Sequence, residues 1–386
     1  MPERSGGVLV PGGGRSLEEL KLEVQRRAEH GMPPLAGISA EDARAALSQI
    51  DSLDRERWAL AWSGVGERHF RRAQSLERSD SAGARDAYWN AWRVFQFARW
   101  PTENTLARQD AQKRALAAFR KYAELLAPPM ESVCIPYGEK TIVGYLRLPA
   151  ALRPAPLVFS IAGLDSRKED IAANTEAYIK RDIGIFAVDL PGTGESPVAA
   201  ATPYSDRMLT AALDYFAARP DVNAKRMIVQ GRSWSGYWAA KLAVTERERL
   251  RGAIAHGAPI HHYFQAEWLA PSMTTGEYLY DYLEAKCAMH GAKDLEDLLE
   301  RARGYSLFDA GLLVKPSAPM LVVNGARDSQ VPIGDALLLL ERGSAKDAWI
   351  NPQGGHMGRS PEWSSTRIAE KVLLPWIARR LNENAD

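Results

Sequence analysis

Cysteine is scarce in this chain. There are two, Cys134 and Cys287, far apart and without the short spacings of a metal site. A disulfide framework is therefore not expected, and a reducing compartment is. Charge of one sign is also lacking: 49 Lys and Arg stand against 48 Asp and Glu, a net +1. That balance gives no reason to expect nucleic acid or an anionic membrane as a partner. No apolar run approaches the roughly 18 residues of a membrane span. The opening Met1-Pro2-Glu3-Arg4-Ser5-Gly6-Gly7 has no apolar core of a secretion signal. The expectation is a soluble cytoplasmic protein without metal or cofactor.

What the chain does have is length and aromatics. Its 386 residues call for two domains, or one large domain with additions. Residues 1–16 are rich in Gly and Pro and read as a disordered tail. Residues 17–128 read as helix after helix, with Ser39 and Asp42 placed as a cap and with apolar residues three and four apart. Within 82–99, Tyr88, Trp92 and Phe95 can line one face; core packing is the plain reading, and Trp92 and Phe95 facing a substrate the sharper one.

From residue 129 the pattern changes to strands alternating with helices. Apolar runs at 133–137, 141–146, 157–161, 185–188, 227–229, 250–255, 320–323 and 348–350 predict a mostly parallel sheet covered by helices, an α/β fold. Helices are expected over 166–180, with Ser166 and Glu169 as its capping box, over 205–218, and over about 361–381. Residues 260–318 are too long for a plain connection and read as a helical insertion.

Sites in such sheets form at the carboxyl ends of strands. After the run 227–229 comes Gly231-Arg232-Ser233-Trp234-Ser235-Gly236. It nearly matches G-x-S-x-G, the sharp strand-to-helix turn that exposes a nucleophilic serine, but the second glycine arrives one place late. Small residues are needed two before and two after the nucleophile; Gly231 and Ser235 satisfy this for Ser233, whereas Tyr237 excludes Ser235 as nucleophile. Asp328 follows the run 320–323, and His356 lies in the glycine-rich loop after 348–350. Singly, each could be a turn, a cap or a surface residue. Together they have complementary roles: His356 takes the serine proton while Asp328 fixes its tautomer. Backbone N–H groups of Trp234 and of Gly163-Leu164, after 157–161, are candidates to hold an oxyanion. Asp189-Leu190-Pro191-Gly192-Thr193-Gly194-Glu195-Ser196 reads as a mainly structural loop.

The order Ser233, Asp328, His356, with the Pro-Gly loop at 191–194, resembles the α/β-hydrolase superfamily over about 130–386. With its N-terminal helices and Ala162-Gly163-Leu164-Asp165-Ser166-Arg167-Lys168-Glu169, the chain looks like the subgroup containing 2,6-dihydroxypseudooxynicotine hydrolase and the fermentation-respiration switch esterase. The resemblance implies an α/β-hydrolase fold with an N-terminal all-helical cap domain, a small-molecule carbonyl substrate and a homodimer. It also implies that an acidic residue downstream of the nucleophile can act in some members. Glu267 lies 34 residues after Ser233 (267 − 233), beside His261, His262, Tyr263 and Trp268, and these are the candidate substrate-binding residues; capping a helix or facing solvent is the plain alternative. The chemistry open to the set is ester or thioester hydrolysis, carbon–carbon cleavage of a β-dicarbonyl or polyketide-like ketone, or acyl transfer. A non-catalytic helical scaffold is the reading from another class, and the complete Ser, Asp and His set argues against it.

Overall fold

A computed structural model describes residues 14–274 and 276–383. The chain divides into two compact units. The first runs to Arg120 and takes in Met273–Ala285; the second comprises Lys121–Ser272 and the chain from Lys286 onward.

The first unit is built on α1 (Leu17–Glu29), α2 (Ala40–Leu47), α3 (Arg55–Leu76), α4 (Ser81–Ala98) and α5 (Leu106–Glu124). Side-chain caps start four of these. Ser16 and Glu19 form a capping box on α1, Ser39 Oγ takes the Asp42 N–H on α2, and Asp54 and Asp80 cap α3 and α4. Helices α3 and α4 run antiparallel, because Trp62 meets Phe97 (4.6 Å between centroids) while Phe70 meets Tyr88 (5.4 Å). Trp92 stands edge-on to Phe119 at 5.1 Å, and Phe95 packs under Arg114; both are about 1% exposed. These two aromatics are thus spent in the helix-packing core, which corrects the sharper reading that they face a substrate. Segment 273–285 joins this unit through Asp281, which pairs with Arg55 at 2.9 Å and Arg108 at 2.8 Å, and through Tyr278, stacked on Trp100.

The second unit carries one eight-stranded sheet in the order β1-β2-β4-β3-β5-β6-β7-β8. The strands are β1 (Glu131–Tyr137), β2 (Lys140–Arg147), β3 (Ala155–Ile161), β4 (Gly184–Val188), β5 (Val222–Arg232), β6 (Leu250–His256), β7 (Met320–Gly325) and β8 (Asp347–Asn351). The hairpin β1-β2 and its junction with β4 are antiparallel, and every other pairing is parallel. Strands β3, β4 and β7 are buried along their whole length, as expected for parallel strands covered on both faces. The helices are α6 (Lys168–Ala172), α7 (Glu176–Ile179), α8 (Asp206–Ala217), α9 (Gly236–Thr245), α10 (Ala266–Ser272), α11 (Tyr282–His290), α12 (Leu295–Arg303), α13 (Ile333–Glu341), α14 (Ser365–Ile368) and α15 (Leu374–Asn382). No helix among the described residues is long and apolar enough to cross a membrane.

Two helices differ from expectation for local chemical reasons. The helix expected over 166–180 is two short pieces. Asn174 Nδ2 donates to the Asp170 carbonyl and Thr175 Oγ1 to that of Ala172, so both side chains compete with helix continuation. The last helix carries a π turn over Ala369–Leu373 just before Pro375, which has no N–H to give.

The Pro-Gly loop is a charge lock. Asp189 accepts the Lys168 N–H at 2.8 Å and the Glu195 N–H at 2.9 Å. The Lys168 ammonium, fully buried, lies 3.0 Å from Asp189, 2.9 Å from Glu169 and 2.7 Å from Glu195. Burial opposes its charge, but these carboxylates outweigh burial and raise its pKa. Removing one member of a buried ion group leaves the others unpaired, at about 3–5 kcal/mol. Lys168→Met is therefore expected to lower the denaturant midpoint of the second unit strongly, and Glu195→Gln, at the solvent edge, much less. Equal midpoints for the wild type and Lys168→Met would contradict this account.

Candidate active site

In the strand order β3 is flanked by β4 on one side and β5 on the other, so consecutive connections leave in opposite directions there, the topological switch point at whose carboxyl ends sites form in such sheets. Ser233 sits at the end of β5 with φ +55°, a left-handed conformation rare outside glycine. Two features hold it. A Cβ at Gly231 would overlap the Ser235 carbonyl, so the position two before the serine admits glycine only. Ser235 is fully buried, takes the Arg232 N–H at 2.7 Å and donates to the Ile161 carbonyl at 2.8 Å. The serine that stands for the usual second glycine thus ties the turn to the end of β3. The late glycine has its own reason: a Cβ on Gly236 would lie 2.7 Å from Ala258 Cβ, so it lets α9 close onto the loop after β6.

Ser233 Oγ lies 2.7 Å from His356 Nε2, and His356 Nδ1 lies 2.8 Å from Asp328 Oδ2. Asp328 Oδ1 accepts the N–H groups of Gln330 and Val331 at 2.8 and 2.9 Å. Burial alone would raise the Asp328 carboxyl, but His356 and these N–H groups outweigh it and hold it below the ordinary value. The loop bearing His356 is fixed from three sides. His256, at the end of β6, faces the Met357 carbonyl from Nε2 at 2.8 Å; since a carbonyl only accepts, that nitrogen carries the proton. Asn324 Oδ1 takes the Met357 N–H, and Asn351 Nδ2 donates to the Gly358 carbonyl. A hydroxyl, an imidazole and a buried carboxylate so connected can pass a proton away from the serine oxygen.

A family model of esterase FrsA-like proteins matches residues 47–350, which include Ser233 and Asp328 and stop short of His356. This chain belongs to the esterase FrsA-like family. It is an α/β-hydrolase and a hydrolytic enzyme. The Esterase FrsA of Vibrio parahaemolyticus is 27% identical over 324 residues, covering 78% of this chain and 76% of that protein. The Esterase FrsA of Enterobacter sp. is 27% identical over 366 residues, 89% of this chain and 86% of the relative. The crystal structure of 2,6-dihydroxy-pseudo-oxynicotine hydrolase shares the fold with a TM-score of 0.74 at 20% identity, covering 94% of this chain and 95% of that one.

In this FrsA-like chain the other expected site residues fall into distinct places. A Cβ at Gly163 would lie 3.5 Å from Ser233 Cβ, so the loop after β3 does border the serine. Gly163 donates its N–H to Ser166 Oγ at 2.8 Å, however, which takes that N–H out of the oxyanion set. It also takes Ser166 off the expected capping box; Asp170 instead accepts the Arg167 N–H at 2.8 Å. Leu164 is buried. Trp234 is buried next to Ser233, its ring within 5.3 Å of His290 and 5.2 Å of Tyr305.

The stretch His261–Trp268 is organised by a residue the sequence did not single out. Asp335, at the start of α13, accepts N–H groups from Ile260, His261, His262 and Tyr263. Burial pushes its carboxyl up to about 6 against their pull. The His261 ring is engaged by Ser306 at 2.7 Å, and the His262 side chain is exposed. Glu267 is exposed in the first turn of α10, where a negative charge suits the helix dipole. His262 and Glu267 thus fit the plain alternative of solvation and capping, while the half-buried His261 ring is held by Ser306. Trp268 donates to the Gln330 carbonyl, two residues from Asp328. Tyr263 is buried. An acidic residue in the first turn of the Leu-rich α13, and a histidine ending an apolar strand at 256, were the signals available for Asp335 and His256.

Burial pushes both His256 and His290 down to about 3. Folding therefore excludes two protons that the unfolded chain binds below about 6.5. Where the unfolded state holds more protons, stability rises with pH. The thermal midpoint is accordingly expected to fall as pH drops from about 6.5 toward 3. His256→Gln should flatten that slope by about one proton. A slope unchanged in the variant would count against a neutral His256.

Proposed function

We propose that the protein is a serine hydrolase acting on a bulky ester or thioester through an acyl-enzyme on Ser233. The observation that carries the reading is the hydrogen-bonded line from Ser233 through His356 to Asp328 at 2.7 and 2.8 Å, with the serine held at φ +55°. Ser233 Oγ attacks the carbonyl carbon and its proton passes to His356 Nε2. The tetrahedral intermediate collapses, the carbon–oxygen or carbon–sulfur bond breaks, and His356 returns the proton to the leaving alcohol or thiol. Water, deprotonated by His356, then attacks the acyl carbon, the acyl–serine bond breaks, His356 returns that proton to Ser233 Oγ, and the acid is released. The N–H groups of Trp234 and Leu164 are assigned to the oxyanion, on either side of the serine. Asp328 keeps the Nδ1–H of His356 oriented and stabilises the imidazolium. The helical unit is proposed as a cap that selects large substrates, and the protein is proposed to work in the cytoplasm.

Relatives named as esterases support the ester reading. Carbon–carbon cleavage of a β-dicarbonyl would use the same acylation, but its carbanion leaving group needs a proton donor and charge support.

A fluorophosphonate probe should label Ser233, and Ser233→Ala should abolish both labelling and turnover of p-nitrophenyl esters. Asp328→Asn should cost kcat about 10⁴-fold while leaving KM and fold largely intact. A folded protein that resists labelling would overturn the proposal.

A further inference from the structure

The first unit holds a cavity of about 270 Å³, and every residue that lines it belongs to that unit. At about 30 Å³ per water in the liquid, the space suits a solute of roughly nine non-hydrogen atoms. Leu20 and Leu53 give it an apolar part. Arg15, Arg55, Asn104, Asp281 and Glu284 give it a polar one.

The charges around this cavity are not matched among themselves. Asp281 is fully engaged, held by Arg55 and by Arg108. Arg15 has no carboxylate at ion-pair distance among the described residues. Its guanidinium donates to the backbone carbonyls of Gly276, Tyr278 and Leu279, which take hydrogen bonds but do not cancel its charge. Glu19 lies within reach of that charge, but its carboxylate is spent on the Ser16 N–H of the α1 capping box. Glu284 is the converse case. It is half-buried, and apart from its own backbone N–H no group among the described residues donates to its carboxylate. Burial raises its pKa, and the Asp281 charge adds to the rise; Arg55 and Arg108 oppose it only from beyond ion-pair distance. Asn104 gives its carbonyl oxygen to Arg108, and its amide nitrogen has no partner among the described residues.

One cavity thus presents a cation without a counter-ion and an anion without one, and the two do not pair with each other. Its backbone is unusual as well. Asp281 has φ +56°, a left-handed conformation rare outside glycine and kept in place by its two arginines. Conformations of that kind gather at ligand clamps.

We infer that this cavity binds a small zwitterion, an α-amino acid with an aliphatic side chain. Its carboxylate meets the Arg15 guanidinium and the Asn104 amide, its ammonium meets Glu284, and its side chain lies on Leu20 and Leu53. A simple carboxylate would leave Glu284 without a counter-ion, and a simple amine would leave Arg15 without one. A ligand carrying both charges serves both, and leucine has the nine non-hydrogen atoms that the space suits. Such an occupant ties the start of α1 to segment 273–285, so binding stabilises the helical unit. The site is independent of what Ser233 attacks.

The test is isothermal titration of the full chain with leucine, isoleucine and valine, with thermal midpoints measured alongside. At least one of the three is expected to bind at millimolar concentration and to raise the midpoint. For leucine, isocaproate lacks only the ammonium and isoamylamine only the carboxylate; each should bind at least tenfold more weakly. Glu284→Gln should lower the affinity for the amino acid roughly ten- to a hundredfold, the worth of a charged hydrogen bond, and bring it level with isocaproate. Its midpoint without ligand should stay unchanged, since that carboxylate bonds no other side chain. Glu284→Asp should keep part of the affinity. Absence of binding by all three amino acids would overturn the site. Isocaproate or isoamylamine binding as tightly as leucine would overturn the zwitterion, as would a folded Glu284→Gln variant with unchanged affinity.

Discussion

One buried hydroxyl decides the geometry on which the rest of the site depends. Ser235 Oγ spans the Arg232 N–H and the Ile161 carbonyl, so it joins the turn after β5 to the last residue of β3. Ser233 stands between those two anchors in a backbone conformation that costs roughly 1–3 kcal/mol outside glycine. Strain of that kind persists only where the surroundings over-determine it. Gly231 supplies the space, Gly236 lets α9 approach, and Ser235 supplies the tether. A glycine at 235 would fit the same turn without the tether. The substitution that makes the sequence a near-miss is therefore a stiffer way of meeting the same steric demand, and it fixes the height of Ser233 relative to the loop carrying Gly163.

The histidine is positioned by a different principle. Its loop emerges from the edge strand β8, whose residues are only partly covered, so the sheet alone does not hold it. Polar groups at the ends of three strands do so: His256 from β6, Asn324 from β7 and Asn351 from β8. Burial keeps His256 uncharged. A protonated neighbour would disfavour the imidazolium proposed for His356, so a neutral donor anchors the loop without opposing the proposed chemistry. Asp328, held ionised at the other end, favours that imidazolium.

The inner strands were legible because parallel strands buried on both faces must be continuous apolar runs, whereas the antiparallel β1 and β2 and the partly covered edge strand β8 showed only as short apolar segments beside turns. The order of Ser233, Asp328 and His356 was legible because each follows such a run. Side-chain hydrogen bonds were not, since one serine has several equivalent local partners. Ser166 fits a capping box by spacing yet takes the Gly163 N–H, and the sequence cannot rank two bonds of similar worth. Helix length failed at 173–175 for the same reason, with Asn174 and Thr175 each satisfying a backbone carbonyl behind them. The grouping of 273–285 with the N-terminal helices depends on Asp281 meeting Arg55 and Arg108, contacts across more than 170 positions that no periodicity records.

Specificity is the part least readable from pattern, and the insertion shows why. Its opening is pinned by backbone N–H groups on Asp335, which makes the identities of His261 and His262 nearly irrelevant to that anchor. Its middle belongs to the other unit, and its next residue in the sheet unit is a buried lysine. A charged residue on a helix ordinarily reads as a solvated face, and Lys286 has no local feature to distinguish it. Its surroundings are set in three dimensions: two phenols, an indole and an imidazole brought together by four separate segments, each with a buried polar atom that has no hydrogen-bond partner among the described residues. A core built only for stability would fill such a place with Leu and Phe, because unpaired donors cost more than apolar side chains of the same volume. The cluster adjoins the Trp234 ring, next in the chain to Ser233, and no run of the sequence announces it, because each of its members is supplied by a different segment.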